Sequence, residues 1–430
     1  PQQSANQYFD WPTVVELAGH DPVYGLNENR RGAMIDIDRP ALEKRIATYL
    51  DKAVPDTEAA LTCEGLMQKA AGFDPLKCRH TALNEHKFDL QNFRRFTPTP
   101  FDIRWCYWSE NRPMWNRSRP DLVAQHWAGN AFLYVRRFGR KTDERIPVFY
   151  GSALPDLHLM DPDIIAIPFR WRTDVMGSHS FGANLSTSAR AYLNSLGLPD
   201  PDSNPEVAPL LWYHALAISY SSAWLSENGD AIRGGFPRVP LPADADQFNR
   251  SLELGMLLAA LMDADSPVKG VTSGAIRPEL REIAVISRVG GGSLNPAKGD
   301  LGLTANWGRK GKDGKTMPGL GKVELRSTSG PPTDVADETG QAVDVYLNGL
   351  AYWKNIPLPV WEFTVGGYQI MKKWLSYRER DVLGRDLTPD EARLFTEMAR
   401  RIAAILALCT PLDANYHAVK VNAYGWKKQK

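Results

Sequence analysis

The sequence predicts an α+β chain with several lobes: a helical N-terminal segment, then mixed α/β lobes, then C-terminal helices. Three observations lead there. The chain has 430 residues, more than one compact core usually holds. Segments with helical spacing and segments rich in branched and aromatic residues occupy different stretches. No internal repeat is present, which sets solenoids and propellers aside.

Residues 1–92 read as a mainly helical connector. Leu42, Ile46, Tyr49 and Leu50 give Ala41–Leu50 a helical apolar face, with Asp38 or Arg39-Pro40 opening it. Asp56–Ala70 is a second helix candidate, and the loop Gly25–Gly32 between carries Asn27, Asn29, Arg30 and Arg31. Residues 93–242 read as a first α/β lobe. Ala131–Phe138, Ile146–Phe149 and Ile164–Phe169 are strand candidates. Asn204-Pro205-Glu206 is expected to open one long helix reaching Leu225, and Phe236–Pro242 to run extended. Residues 243–430 form a second lobe. It opens with a helix over Gln247–Met262 and has short strands at Ile283–Ile286 and Val343–Leu347. A basic Gly-rich loop spans 302–321, and a helix covers Tyr368–Tyr377. Thr388-Pro-Asp-Glu391 is a capping box that opens a helix to Leu408, before a basic tail of Lys427, Lys428 and Lys430.

Composition excludes several classes. Lysine plus arginine number 51 against 50 acids, so a nucleic-acid role must rest on local clusters. The longest apolar runs fall far short of the roughly 18 residues a membrane helix needs. Cys63, Cys78, Cys106 and Cys409 match no zinc spacing and read as reduced cytoplasmic thiols. The chain starts at Pro1 with polar residues, and is expected to be a piece of a longer polypeptide. Gly314-Lys-Thr316 resembles the end of a phosphate loop, but Arg309 stands where its first glycine belongs. No His-Glu-x-x-His, no Gly-x-Ser-x-Gly and no Asn-Pro-Pro-aromatic string occurs, and the eight histidines lack metal spacing. No catalytic residue, metal ligand or cofactor site is therefore assigned to this chain.

Four clusters remain. Residues 91–119 hold six arginines against Asp102 and Glu110, with seven aromatics interleaved. Phe101–Arg104 reads as core, with Asp102 pairing Arg104 or another arginine. Arg117 and Arg119, on a polar loop, are candidate DNA contacts because a guanidinium fork suits phosphate and guanine. Arg136, Arg137, Arg140 and Lys141 at a strand end suit either a phosphate backbone or a solvated hairpin. Asn306–Arg326 carries Arg309, Lys310, Lys312 and Lys315 among glycines; Asn306 could read adenine and Trp307 could wedge or stack, or the segment is a surface loop. In Gly366–Arg378 the paired glycines permit a tight turn into a helix whose N-terminus could face phosphate. There Trp374 and Leu375 read as core, and Gln369, Lys372 and Lys373 as surface.

These residues carry a resemblance. Phe101-Asp-Ile-Arg104 with Arg119-Pro120, Phe236-Pro-Arg-Val-Pro240, Leu303-Thr-Ala-Asn-Trp-Gly308 with Met317-Pro-Gly319, and Val360-Trp-Glu-Phe363 through Tyr377-Arg-Glu379 resemble the C-terminal target-recognition region of Type ISP restriction–modification enzymes. These are related to single-chain Type IIG enzymes. Arg30-Arg31 departs from the wider family, which often has an acid beside the arginine. The resemblance implies sequence-specific recognition of double-stranded DNA for a bacterial, cytoplasmic adenine-specific DNA methyltransferase and endonuclease. S-adenosylmethionine, ATP and magnesium would bind in other parts of that polypeptide, whose methyltransferase domain would be this chain's neighbour. The expected contacts are Arg117, Arg119, Arg136, Arg137, Asn306, Arg309, Lys310, Lys312 and Lys315. The alternatives are a scaffold that docks other domains of the same enzyme, or an unrecognised nuclease.

Overall fold

A computed structural model describes residues 7–63, 65–70, 72–140, 145–175, 178–311, 314–327 and 340–427. The chain is α+β. One four-stranded antiparallel sheet joins Val23–Tyr24, Ile164–Pro168, Phe132–Arg136 and Val148–Gly151 in that order. The three strands expected from branched and aromatic content are all in it. Phe149 meets Phe101 at 5.1 Å and the next residue, Tyr150, meets Tyr213 at 6.3 Å. Successive strand side chains point to opposite faces, so the sheet is covered on both. Phe132–Arg136 is accordingly buried along its whole length.

A second sheet runs Ile35–Asp36, Asp102–Tyr107, Phe93–Thr99, Leu154–Pro155. The hairpin Phe93–Tyr107 is the aromatic and arginine stretch of the sequence, and it turns at Phe101 with φ 63°. Strand pairings cross residue 92: Tyr24 pairs with Ile165, and Ile35 with Cys106. The helix Arg39–Tyr49 buries Leu42, Ile46 and Tyr49, and the Asp38 carboxylate accepts from the Ala41 amide at 3.4 Å. The expected helix from Asp56 stops at Thr62. Beyond it Gly65 lies close against Ala33, whose Cβ would stand 2.8 Å from a Cβ added to the glycine. Pro75–Glu85 is a further helix, opened by Asp74 at the N-cap.

The long helix expected from Asn204 to Leu225 is two helices, Leu210–Ser219 and Ser222–Arg233. Asn204 closes a local turn on the Glu206 amide at 3.2 Å. Ser221 then caps the second helix by accepting from Trp224 N at 3.1 Å. Side chains that bond nearby backbone compete with helix continuation. Phe236–Pro242 is extended, with Val239 N donating to Pro12 O and Val14 N to Pro237 O. Ala245–Met262 crosses Leu210–Ser219 closely; a Cβ on Gly255 would stand on the carbonyl oxygen of Tyr213. Beneath this crossing His214 Nε2 donates to Pro240 O at 2.8 Å. Its Nδ1 accepts from Ser251 Oγ at 2.8 Å, and Ser251 Oγ accepts from Asn415 Nδ2 at 3.0 Å. Burial lowers the His214 pKa to about 4, so the ring is neutral.

The C-terminal part holds a third sheet, Val285–Arg288, Ala351–Pro357, Gln341–Tyr346, Val323–Ser327. The helix expected over Tyr368–Tyr377 covers Ile370–Ser376, because Tyr368–Gln369 pairs with Thr364–Val365 as a short ribbon. The capping box stands: Thr388 Oγ1 accepts from Glu391 N at 3.1 Å and Glu391 Oε2 from Thr388 N at 2.8 Å. Its helix ends at Leu406, and a further one, Cys409–Val421, follows where only a tail was expected. Pro411 sits in that helix's first turn, where the missing N–H costs nothing. No single helix among the described residues is long and apolar enough to cross a membrane.

Candidate nucleic-acid interface

The site begins with the loop Gly25–Gly32. Glu28 is buried and its carboxylate accepts three backbone amides: Arg30 N at 3.1 Å, Gly32 N at 2.8 Å and Met34 N at 2.9 Å. Burial raises its pKa, against the pull of those amides. Arg30 points inward. It donates to Leu66 O at 3.1 Å and to Pro113 O, and lies over the Phe73 ring. Arg31 follows at φ 60° and points outward, exposed, with Nε donating to Lys69 O at 3.1 Å. The paired arginines of this loop thus divide into one interior and one surface group. The loop's carboxylate is Glu28, two residues before Arg30.

This loop gathers two of the sequence clusters. Asn27 pairs with Arg117, each amide donating to the other's carbonyl at 3.1 and 2.9 Å. The Arg117 side chain is exposed, and Arg119 sits half-buried at 5.5 Å from the Tyr24 ring. Burial and the like charge of Arg117 both lower the Arg119 pKa, so an anion there would relieve a repulsion. From the other side comes the hairpin Gly308–Lys310 with Thr316–Pro318. A Cβ on its Gly314 would stand 2.9 Å from Arg31 Nη1, so the hairpin end touches the loop. Arg309, Lys310 and Lys315 are exposed on it, and Lys312 lies outside the described residues.

The hairpin base is a built platform. Asn306 has φ 64°, an uncommon conformation for a residue with a side chain, and its side chain is exposed. Glu379 holds it there, accepting from Trp307 N at 2.8 Å and Asn306 N at 3.3 Å. Trp307 is fully buried, with Nε1 donating to Tyr346 O at 2.8 Å. The expectation of a wedging or stacking Trp307 is therefore corrected: an indole spending its one N–H inside the core is a floor, not a contact. Three separated strings of the family resemblance meet here: Leu303–Gly308, Met317–Gly319 and Tyr377–Glu379.

Arg136 is the second correction. It is 2% exposed, on a strand covered on both faces, and is unavailable to a duplex. Arg137, one residue beyond the strand, is exposed above the Phe236 ring. Register puts it near the loop: Arg136 pairs with Ile164, whose carbonyl accepts from Gly25 N at 3.3 Å. Two strand spacings, about 10 Å, separate the two chain ends. Arg140 lies 4.0 Å from Asp161, and Lys141 is outside the described residues. In the fourth cluster the turn at Gly366-Gly367 leads into a helix whose first amide, Ile370 N, donates to Phe363 O. Trp374 and Leu375 are core, as expected, while Lys373 is half-buried over the Tyr368 and Tyr377 rings.

Asp102 forms the junction behind the site. It is buried and accepts from Arg104 Nη2 at 2.6 Å and Arg378 Nη2 at 2.8 Å. Burial alone would raise its pKa, but Arg104 and then Arg378 take it well below the usual carboxylate range. The expected pairing of Asp102 with an arginine thus holds, with a second partner, Arg378, from a distant stretch of the chain. Among the described residues no group of three or more His, Cys, Asp or Glu could hold a metal ion.

Sequence reasoning missed Glu28, Arg31 and Glu379 as site builders. Glu379 had a signal, since it closes the Tyr377-Arg-Glu379 string; nothing in the sequence showed that Arg31 would face out while Arg30 faced in.

A family model described as the Type ISP C-terminal specificity domain matches residues 21–404. Three solved structures share the fold. The ATP-dependent Type ISP restriction–modification enzyme LlaBIII bound to DNA matches with a TM-score of 0.54 and 12% identity over 92% of this chain and 23% of that one. The DrdV–DNA complex matches with a TM-score of 0.57 and 16% identity over 91% of this chain and 35% of that one. A nuclease-deletion mutant of the Type ISP enzyme LlaGI, in complex with a DNA substrate mimic, matches with a TM-score of 0.55 and 13% identity over 95% and 34%. The chain therefore spans about a quarter to a third of the solved chains it resembles. No curated protein matches it. The chain belongs to the Type ISP C-terminal specificity domain family.

Proposed function

We propose that this chain recognises the double-stranded DNA target of a Type ISP restriction–modification enzyme. The observation that carries the reading is the meeting of Arg31, the Arg117–Arg119 segment and the hairpin of Arg309, Lys310 and Lys315 around one loop. These exposed cations come from three distant stretches of sequence. Together they suit a phosphate backbone. Arg137 extends the same positive end of the sheet. Asn306, exposed on a rigid platform, is the candidate for a base edge, since a carboxamide matches adenine N6 and N7 in the major groove.

In this reading the chain positions DNA and performs no chemistry of its own. Adenine-N6 methyl transfer, with S-adenosylmethionine, and the steps that use ATP and magnesium belong to other parts of the parent enzyme. A methyltransferase domain of the same polypeptide would take the target adenine out of the stack. The enzyme would act in the cytoplasm.

The test is the salt dependence of binding. Fluorescence anisotropy of the chain with a labelled duplex should give a log affinity that falls steeply with log salt, by about 0.9 for each phosphate contacted. Weak binding with a shallow slope would favour a scaffold that docks other domains.

A further inference from the structure

We infer that Leu320 is an apolar wedge that enters the base stack of the bound duplex; this rests on the DNA-recognition reading above and names how one part of that surface engages. Leu320 is 83% exposed. A single exposed leucine is ordinary. What sets this one apart is its mount. Gly319 N donates to Trp307 O at 2.7 Å and Gly321 N donates to Asn306 O at 2.9 Å, so the backbone is pinned on both sides of the leucine. A Cβ on Gly319 would stand on the Asn306 carbonyl, and one on Gly321 would stand in the Trp307 ring. Gly321 also has φ 71°, a conformation that other residues adopt only under strain. Both neighbours must therefore be glycine for the segment to lie this close to its floor.

The floor itself does not yield. Trp307 packs edge-on against Trp361 at 5.6 Å and is tied at both its amide and its indole N–H. Leu320 thus stands on a fixed base, and its side chain stays in water although burial would be favourable. The adjoining hairpin exposes Arg309, Lys310, Lys315 and Met317, and the stretch after Leu320 exposes Lys322, Val323, Glu324 and Leu325. Cations that hold phosphates while a rigid apolar side chain parts a base step is the general chemistry of kinked duplexes. The cations of that hairpin, whose other end closes on Arg31, favour a polyanion.

The experiment uses the chain as it stands and a duplex that the wild type selects from a randomised pool. 2-Aminopurine is placed in turn at each position of the bound site. The wild type should raise the fluorescence at one step, reporting lost stacking. Leu320→Ala should abolish that rise and weaken binding roughly tenfold, as a central anchor does, with the salt slope unchanged. Leu320→Met, apolar and of similar length, should restore most of both. Wild-type binding with a steep salt slope but no fluorescent step, or an alanine variant indistinguishable from wild type, overturns the wedge and leaves DNA recognition standing. Failure of the wild type to retain any duplex overturns both.

Discussion

Arg104 and Arg117 come from one arginine-rich stretch, yet they sit in opposite settings. Arg104 lies in the interior, sharing Asp102 with Arg378 and stacked at 4.6 Å over Tyr377. Arg117 stands in water beside Arg119, at the loop that also meets the basic hairpin. The same contrast recurs within single dipeptides: Arg30 faces in and Arg31 out, Arg136 in and Arg137 out. Arg30 and Arg104 go inside to carbonyls, a carboxylate and rings already waiting there. The surface arginines are those for which the fold supplies less. Interior charge thus ties distant stretches of the chain together, as Arg378 is tied to Asp102, while Arg31, Arg117 and Arg137 keep theirs at the surface.

The largest expected effect strikes the interior side of that contrast. Asp102→Ala leaves Arg104 and Arg378 buried together without their carboxylate, and should cost about 3–5 kcal/mol in urea unfolding. A loss near zero would mean that the junction is held by packing alone. Next is a titration that belongs to the interior. The unfolded chain's His214 takes up a proton near pH 6.5, but the buried ring resists until about pH 4. Stability from this group is therefore complete above pH 6.5 and falls as the pH drops towards 4, by about 3 kcal/mol in all. Unfolding midpoints of His214→Gln measured across that window should lose this slope.

Glu28 lies between the two regions, a buried acid that shapes a surface loop. Glu28→Ala strands three backbone amides and should cost about 1–3 kcal/mol. DNA affinity should fall with it, since Arg31 loses its support; unchanged affinity would detach Arg31 from the interface. The smallest effect on the fold is expected on the surface side. Lys310→Ala with Lys315→Ala should leave stability within about 0.5 kcal/mol, while the salt slope of binding drops by about 0.9 per phosphate lost. If both affinity and slope stayed put, the hairpin would have no part in binding.

Much of the fold was legible because its causes are local. Thr388 and Glu391 satisfy each other's amides within one turn, and Asp38 with Pro40 opens its helix by the same kind of short-range bond. Asp74-Pro75 carries the same signature and could have been read. The break at Ser221 was missed because apolar spacing continued through it, while a serine cap ended one helix and began another. In the site, the charges were visible but their directions were not. Arg136 and Arg137 are equal as letters; only a sheet covered on both faces makes one of them core.

By itself the sequence determined the class of fold, the helix starts, the lack of catalytic strings and the family likeness, because each depends on neighbours along the chain. Tertiary structure alone decided that Trp307 is a floor beneath Leu320. It also brought Arg378 to Asp102 across 276 positions, and the hairpin to Arg31. The reason is physical: burial and charge pairing depend on distance in space, and a chain of this length brings together groups whose separation along it carries no trace of that meeting.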